Sequence, residues 1–272
     1  MPHGTWNPQT IKRFIESFPT STNVVRVETD VGEGFLKPLG NPEGPHVLAC
    51  ELVGTLLADW LGIPTLETAI ISIGDGDEIP LACGRLADPG PAFISKAEQG
   101  LAWGGDSTTL ENLLNKNDLA RLVVLDTWIR NCDRYRPEPD VRINRDNVFL
   151  IWASAPTPGL VLNAIDHTHA FTCGRELTRT LSSIDKIQDE MVYGCFPEFR
   201  PLLTADEIGL AVDRLQRMDR ALAEGLVQRI PREWQVEDEV RTAWVRLISE
   251  RAGFVARHLE AWIWPEGGGN AG

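Results

Sequence analysis

Residues 131–152 read NCDRYRPEPDVRINRDNVFLIW, and residues 165–171 read IDHTHAF. Asp133 follows an apolar helical run, LARLVVLDTWIRN. Asn147 immediately precedes the strand-like VFLIW, and Asp166 immediately follows a second strand-like run, GLVLNAI. A hairpin over 148–165 brings Asn147 and Asp166 to one end. Two oxygen donors at that end, with a carboxylate arriving from the preceding helix, suit a hard cation and a hydroxyl acceptor.

Upstream of this stretch the chain is strand-rich. NVVRVETD (23–30) and GEGFLKPL (32–39) read as a hairpin. Lys37 sits past Gly32-Glu33-Gly34, a turn whose backbone is expected to cover phosphates. GPHVLACELVGTLLADWLGIP (44–64) reads as a helix stopped by Gly62 and Pro64. Its polar positions Glu51, Thr55 and Asp59 make a narrow stripe at helical spacing. Glu51, beside the small Gly54 and Ala58, is placed to reach back to Lys37. LETAIISI (66–73) reads as a strand, and 80–97 supplies one or two more. Residues 93–106 are the expected hinge, with Ser95, Lys96 and Ala97 at its start completing the set expected to contact a nucleotide.

From residue 107 the pattern is helical. Thr108 to Glu111 fits a capping box before a helix over 111–131, and Thr204 to Glu207 fits another before a helix over 208–230. Apolar positions from Val240 to Trp262 recur at helical spacing within a last helix over 237–263. The predicted architecture is α+β rather than alternating βαβ: a small β-rich lobe over 1–97 and a larger helical lobe over 98–272. The glycine-rich tail, 266–272, reads as frayed.

Composition narrows the function. Net charge is −13, from 26 Lys+Arg against 39 Asp+Glu, which disfavours nucleic acid and anionic membrane surfaces as partners. Hydrophobic residues make up 43%, enough for a sizeable core. The N-terminus shows no apolar signal region, so a cytoplasmic location is expected. The five cysteines include no CxxC and read as buried thiols, with neither a disulfide framework nor a zinc site expected. His167 and His169 form an HxH pair too small to hold a transition metal alone. No GxSxG elbow marks a hydrolase, and the scattered tryptophans do not form a stacking platform.

The phrases NCDR, NVFLIW and LNAIDHTHAF, with FLKPLG and ACELVGTLLADWLGIPTLE before them, resemble the HipA-like kinases over about residues 23–172. The resemblance implies a bilobal protein-kinase-like fold and phosphoryl transfer from ATP with Mg²⁺, most simply to a protein Ser/Thr hydroxyl. It implies that Lys37 holds the α/β-phosphates with Glu51 as its partner. It makes Asp133 the catalytic aspartate and Asn147 and Asp166 the Mg²⁺ ligands, with His167 where ordinary kinases carry Phe.

One departure stands out. A kinase catalytic loop separates the aspartate from the asparagine by about five positions; here the interval runs from 133 to 147. The extra RPEPDVRI reads as a loop insertion, with Asp140 and Asp146 as substitutes for Asp133. Two alternatives follow from the same residues: a degenerate kinase acting as a nucleotide-binding or protein-interaction module, and a kinase fold that transfers a nucleotidyl group.

Overall fold

The computed structural model describes residues 6–153 and 157–265. The frayed-tail expectation falls on 266–272, outside the described residues. The first region is an antiparallel five-stranded sheet in the order β1-β2-β3-β5-β4, built from β1 (Ile11–Ser17), β2 (Val25–Thr29), β3 (Gly32–Leu39), β4 (Thr68–Ile73) and β5 (Asp88–Lys96). Helix α1 (His46–Leu61) separates β3 from β4 and stops at Gly62, whose φ of 87° is left-handed. One face of the sheet buries Val25, Val27, Leu36, Ile71, Ile73 and Ile94. Alternation then sends Phe35 and Lys37 of β3 to the opposite face. There they pair in register with Ser95 and Phe93 of β5.

The chain leaves this sheet at Lys96 and enters a three-stranded sheet, β10-β9-β6. Its strands are β6 (Gly100–Ala102), β9 (Val148–Ala153) and β10 (Gly159–Ala164). β9 and β10 pair with Val148 opposite Ala164, so Asn147 and Ile165 flank one end of the hairpin. The helices are α2 (Ser107–Glu111), α3 (Asp118–Ile129), α4 (Ile184–Ile187), α5 (Ala205–Leu215), α6 (Arg220–Val227) and α7 (Asp238–Ile263). The fold is α+β, β-sheet first and helical after. The main apolar core joins α1 to α3, α5 and α7, so helix α1 is packed with the C-terminal helices rather than with its own sheet's buried face.

Burial of Arg251 ties α7 to the end of α3. Its guanidinium donates to the carbonyls of Thr127 (2.8 Å) and Trp128 (3.0 Å), which the helix end leaves without internal partners. The same group donates to the carbonyls of Ile187 and Asp189. Trp128 Nε1 donates to the carbonyl of Ile248 at 2.9 Å. The helix that delivers the 131–134 stretch is therefore anchored at its C-terminus.

Several expectations are corrected. In place of the 111–131 helix, a short α2 capped by Asp106 and not by Thr108 ends at Glu111, and α3 begins only at Asp118: Asp106 Oδ2 accepts from Thr109 N at 2.8 Å. The break lies where the side chain of Asn115 docks on β10, donating to the carbonyl of Leu162 and accepting from its N–H. The 208–230 helix also breaks, because Asp219 caps a new helix by accepting from Leu222 N; the Thr204 cap is present as expected. Strand β1 was not legible, because register shifts against β2 scramble its period-two pattern. Of the one or two strands expected within 80–97, β5 forms, beside an isolated bridge from Pro80 to Leu86.

The cysteine expectation holds for Cys50 and Cys195 and not for the other three. Cys132 and Cys173 are joined as a disulfide, their Cα atoms 5.6 Å apart. The spacing offered no sign of it, since 41 residues separate the two. Cys83 is exposed, while Cys50 and Cys195 are buried thiols.

Candidate active site

The cation of the site comes from β3 and its partner from α1. Lys37 Nζ lies 2.8 Å from Glu51 Oε2 and 3.1 Å from Asp166 Oδ1. Glu51 is only 4% exposed, so the stripe of polar positions on α1 turns inward here. Its Oε2 also accepts from the backbone N–H of His167 at 2.9 Å, stitching α1 to the 166–169 segment. A side chain at Gly54 would collide with the ring of His167, so the missing Cβ lets the helix approach that segment. Burial lowers the proton affinity of Lys37, but Asp166 and Glu51 outweigh it and hold the ammonium charged, above the ordinary lysine range. Burial, with the Asp166 charge beside it, raises Glu51 against the pull of Lys37 and the His167 N–H.

Asp166 shares Lys37 but behaves differently. Burial opposes its charge; Lys37 and a 2.8 Å hydrogen bond from the Thr168 hydroxyl overcome that and hold it well below the usual carboxylate range. Its side chain keeps 38% exposure. Its φ is 57°, a left-handed conformation that Asp tolerates better than most residues. Strain of this kind is concentrated at functional sites.

Asp133 faces the same region from the loop after α3. Asn147 Nδ2 donates to its Oδ2 at 3.0 Å and Asn144 Nδ2 at 3.2 Å. His169 Nδ1 lies 3.5 Å from Oδ1, while His169 Nε2 contacts Glu43 at 3.1 Å. His169 therefore sits between two carboxylates. The 3.5 Å contact with Asp133 dominates the opposing burial and raises His169 to about 9; the same contact holds Asp133 below its ordinary value. His167 is the opposite case: burial drops it to about 3, and its Nδ1 lies 3.4 Å from the Thr55 hydroxyl. The HxH pair is thus divided between a buried neutral ring and an imidazolium. Among the described residues, no three His, Cys, Asp or Glu side chains cluster to hold a metal.

The long interval between Asp133 and Asn147 has a simple geometry. The insertion is a small hairpin rather than a loop, with β7 (Tyr135–Arg136) paired to β8 (Arg142–Ile143). Asn144 N donates to the carbonyl of Arg134 at 2.9 Å, closing its base. The excursion leaves and returns at one place. Asp140 and Asp146 are exposed, and Asp140 pairs with Arg136, so neither substitutes for Asp133.

A cavity between the sheets is lined by Phe35, Lys37, Phe93 and Ser95 above, Glu51 and Thr55 behind, and Phe149 and Asp166 below. Other expected nucleotide contacts lie elsewhere. Gly32 and Gly34 belong to β3, past the reversal at Asp30-Val31, and neither lines this cavity. The sequence signal there is packing: a Cβ on Gly34 would crowd Ile94 and the carbonyl of Ser95. Lys96 pairs with Glu67 and Glu98, and Ala97 N donates to the carbonyl of Glu33. The loop that rims the cavity is 18–24, between β1 and β2, through Val24. It has no glycine, so no glycine signal pointed to it. His169 was not legible as the link between Asp133 and Glu43, because 126 residues separate it from Glu43 in sequence.

The HipA-like kinase family model matches residues 35–261, from just before Lys37 into α7. The chain belongs to the HipA-like kinase family. Among solved structures, this HipA-like kinase superposes on the Helicobacter pylori proinflammatory kinase CtkA with a TM-score of 0.59, over 96% of this chain and 98% of that chain, at 12% identity. HipA of the Shewanella oneidensis toxin–antitoxin system, solved with HipB and operator DNA, matches at a TM-score of 0.43 and 10% identity, over 93% of this chain and 66% of that one. The first likeness is one of fold. No curated protein sequence matches the chain.

Proposed function

We propose that this HipA-like kinase transfers the γ-phosphoryl group of ATP to a Ser or Thr hydroxyl of a protein. The observation that carries the reading is two adjoining clusters: Lys37 held between Glu51 and Asp166 in the cavity, and Asp133, close enough to feel the charge of Asp166, held by Asn147 across the insertion. Phosphoryl transfer asks for little more than positioned charge. Lys37 supplies the cation for the nucleotide phosphates. Phe35, Phe93 and Phe149 supply an apolar surface for the base. Asp133 orients the acceptor. The hydroxyl oxygen bonds to the γ-phosphorus as the bridging P–O bond breaks; ADP leaves with that electron pair, and the hydroxyl proton passes to Asp133 or water.

Asn147 and Asp166 fit Mg²⁺ by donor type: both offer hard oxygens, Asp166 is ionised, and kinase Mg²⁺ takes few protein ligands beside substrate phosphates. When bound, the ion would neutralise phosphate charge. The retained Asp133–Asn147 bond favours catalysis over a degenerate module.

The test uses ATP labelled at either the α- or the γ-phosphate, incubated with the protein, MgCl₂ and a panel of Ser/Thr peptides. Label transferred from the γ position alone is the expected result. Transfer from the α position would instead identify a nucleotidyltransferase.

His169 adds a pH dependence. Asp133 and Glu43 flank its two nitrogens, Arg142 adds positive charge beside Asp133, and burial holds the nearby His46 below the ordinary histidine value. Its value in the fold is raised, so its contribution to stability is complete below the ordinary histidine value of about 6.5. That contribution disappears as pH rises through about 9. Transfer should decline over the same window as Asp133 loses its cationic neighbour. His169→Gln, which does not titrate, should remove that alkaline limb from the rate profile; an unchanged limb would assign it elsewhere.

A further inference from the structure

A second cavity opens beside Cys173. Arg130, Arg136, Arg175 and Lys186 line it, against a single lining carboxylate, Glu176. Four cations around one cavity are unexpected in a chain of net charge −13. They come from four separate places: the cap of α3, strand β7, the segment after Cys173, and α4.

The cations are incompletely neutralised. Arg130 pairs with Asp189 at 2.8 Å. Arg136 reaches only the exposed Asp140, at 3.3 Å, and its Nε is buried without a hydrogen-bond partner. Lys186 Nζ donates to the carbonyl and hydroxyl of Thr180 and has no carboxylate partner among the described residues. Arg175 likewise has no ion pair among them, and its side chain is exposed. The Thr172 hydroxyl, also lining the cavity, is buried without a partner. Burial lowers Lys186, and the charges of Arg130 and Arg175 lower it further. An anion entering this cavity relieves that repulsion and satisfies the open donors.

The position ties the cavity to the acceptor side of the reaction. Cys173 is one of its lining residues, and its disulfide partner Cys132 is the residue before Asp133. We propose that the cavity binds a phosphoserine or phosphothreonine side chain of the acceptor protein, a short way along the chain from the hydroxyl that Asp133 receives. A phosphate carries nearly two charges and three acceptor oxygens, which matches several open cationic donors better than a single carboxylate does. Arginine forks give such groups bidentate contacts. The assignment to an acceptor rests on the kinase reading; the anion site itself does not.

The experiment is calorimetric titration of the full-length protein with O-phospho-L-serine, L-serine and inorganic phosphate at fixed ionic strength. Alongside it, ATP with MgCl₂ is titrated, and peptide pairs with and without phosphoserine near the acceptor serine are compared as substrates. The expected result is binding of O-phospho-L-serine, none of L-serine, and at least a tenfold loss in Arg175→Glu,Lys186→Glu with ATP binding unchanged. The phosphopeptide should show a kcat/KM at least tenfold above its unphosphorylated twin, and the variant should abolish that preference. Arg175→Ala alone, at an exposed position, should weaken binding in the same direction without a change in melting temperature.

Phosphoserine binding that survives in the double variant, or that ATP competes away, overturns the site. Binding of inorganic phosphate with no phosphopeptide preference leaves an adventitious anion only and overturns it as well. Phosphoserine binding lost in the variant, in a protein that binds no ATP, upholds the anion site and sinks the kinase reading instead.

Discussion

Replacing Asp166 with asparagine should lower phosphoryl transfer by about 10³-fold or more, while the melting temperature should stay within a few degrees. A factor of 10³ corresponds to about 4 kcal/mol of transition-state stabilisation. That magnitude is expected because Asp166 is the group held most firmly ionised in the cavity, by Lys37 and Thr168 against its own burial. Asparagine keeps the shape and tolerates the left-handed φ of 57°. Alanine would add about 1 kcal/mol of backbone strain to the chemical loss, so it is the less discriminating change. Lys37 retains Glu51 at 2.8 Å, which is why the fold should persist. Calorimetry with ATP in the presence and absence of MgCl₂ gives an independent readout: the wild type should bind more tightly with the metal, and the variant should lose the difference. A variant with full turnover would remove Asp166 from the chemistry.

The parts of this site legible in the sequence are those governed by local pattern. Lys37 follows a period-two strand, Glu51 interrupts an apolar helix, and Asn147 and Asp166 bracket a hairpin whose register, Val148 opposite Ala164, follows from its two apolar runs. Each of these positions is decided within a few residues of itself. What was not legible depends on contacts between distant segments. Glu43 and His169 meet across the site, and Cys132 meets Cys173, because α1 and the anchored end of α3 bring their loops together. The hairpin hidden in RPEPDVRI is a different case. Its strands are two residues each, too short to show a period, and its base is closed by a backbone bond from Asn144 to Arg134. The misplaced glycine loop is instructive too. Gly34 packs where a Cβ would crowd Ile94, and Gly32 holds a left-handed φ of 117° after the reversal, so packing and turn geometry account for the two glycines.

The Arg134 side chain holds the Asp133 and Asp166 segments together, and Arg134→Met should be the most destabilising single change in the site. Arg134 and Asp126 are both 0% exposed and meet at 2.8 Å. Arg134 Nη2 donates to the carbonyl of Ile165, the residue before Asp166, at 3.1 Å. Asp126 also accepts from Asn131 Nδ2 at 3.0 Å. One buried pair thus pins the loop that carries Asp133 and the segment that carries Asp166. Gly194 packs so closely on Asp126 that a Cβ there would collide with the carboxylate, so the site has little room to collapse. The pair is not a net source of stability: burial raises the proton affinity of Asp126 by more than Arg134 lowers it. Removing one member is a different matter, because it leaves a charge buried without its counterion, at about 3–5 kcal/mol. That is a large share of the roughly 5–15 kcal/mol that holds a domain folded. Urea unfolding should show Arg134→Met with a sharply lower midpoint, and Asp126→Asn,Arg134→Met with a higher midpoint than Arg134→Met alone, since no charge is then stranded. If the double variant is as unstable as the sum of both singles, stranded charge is not the cause, and packing around the guanidinium carries the loss.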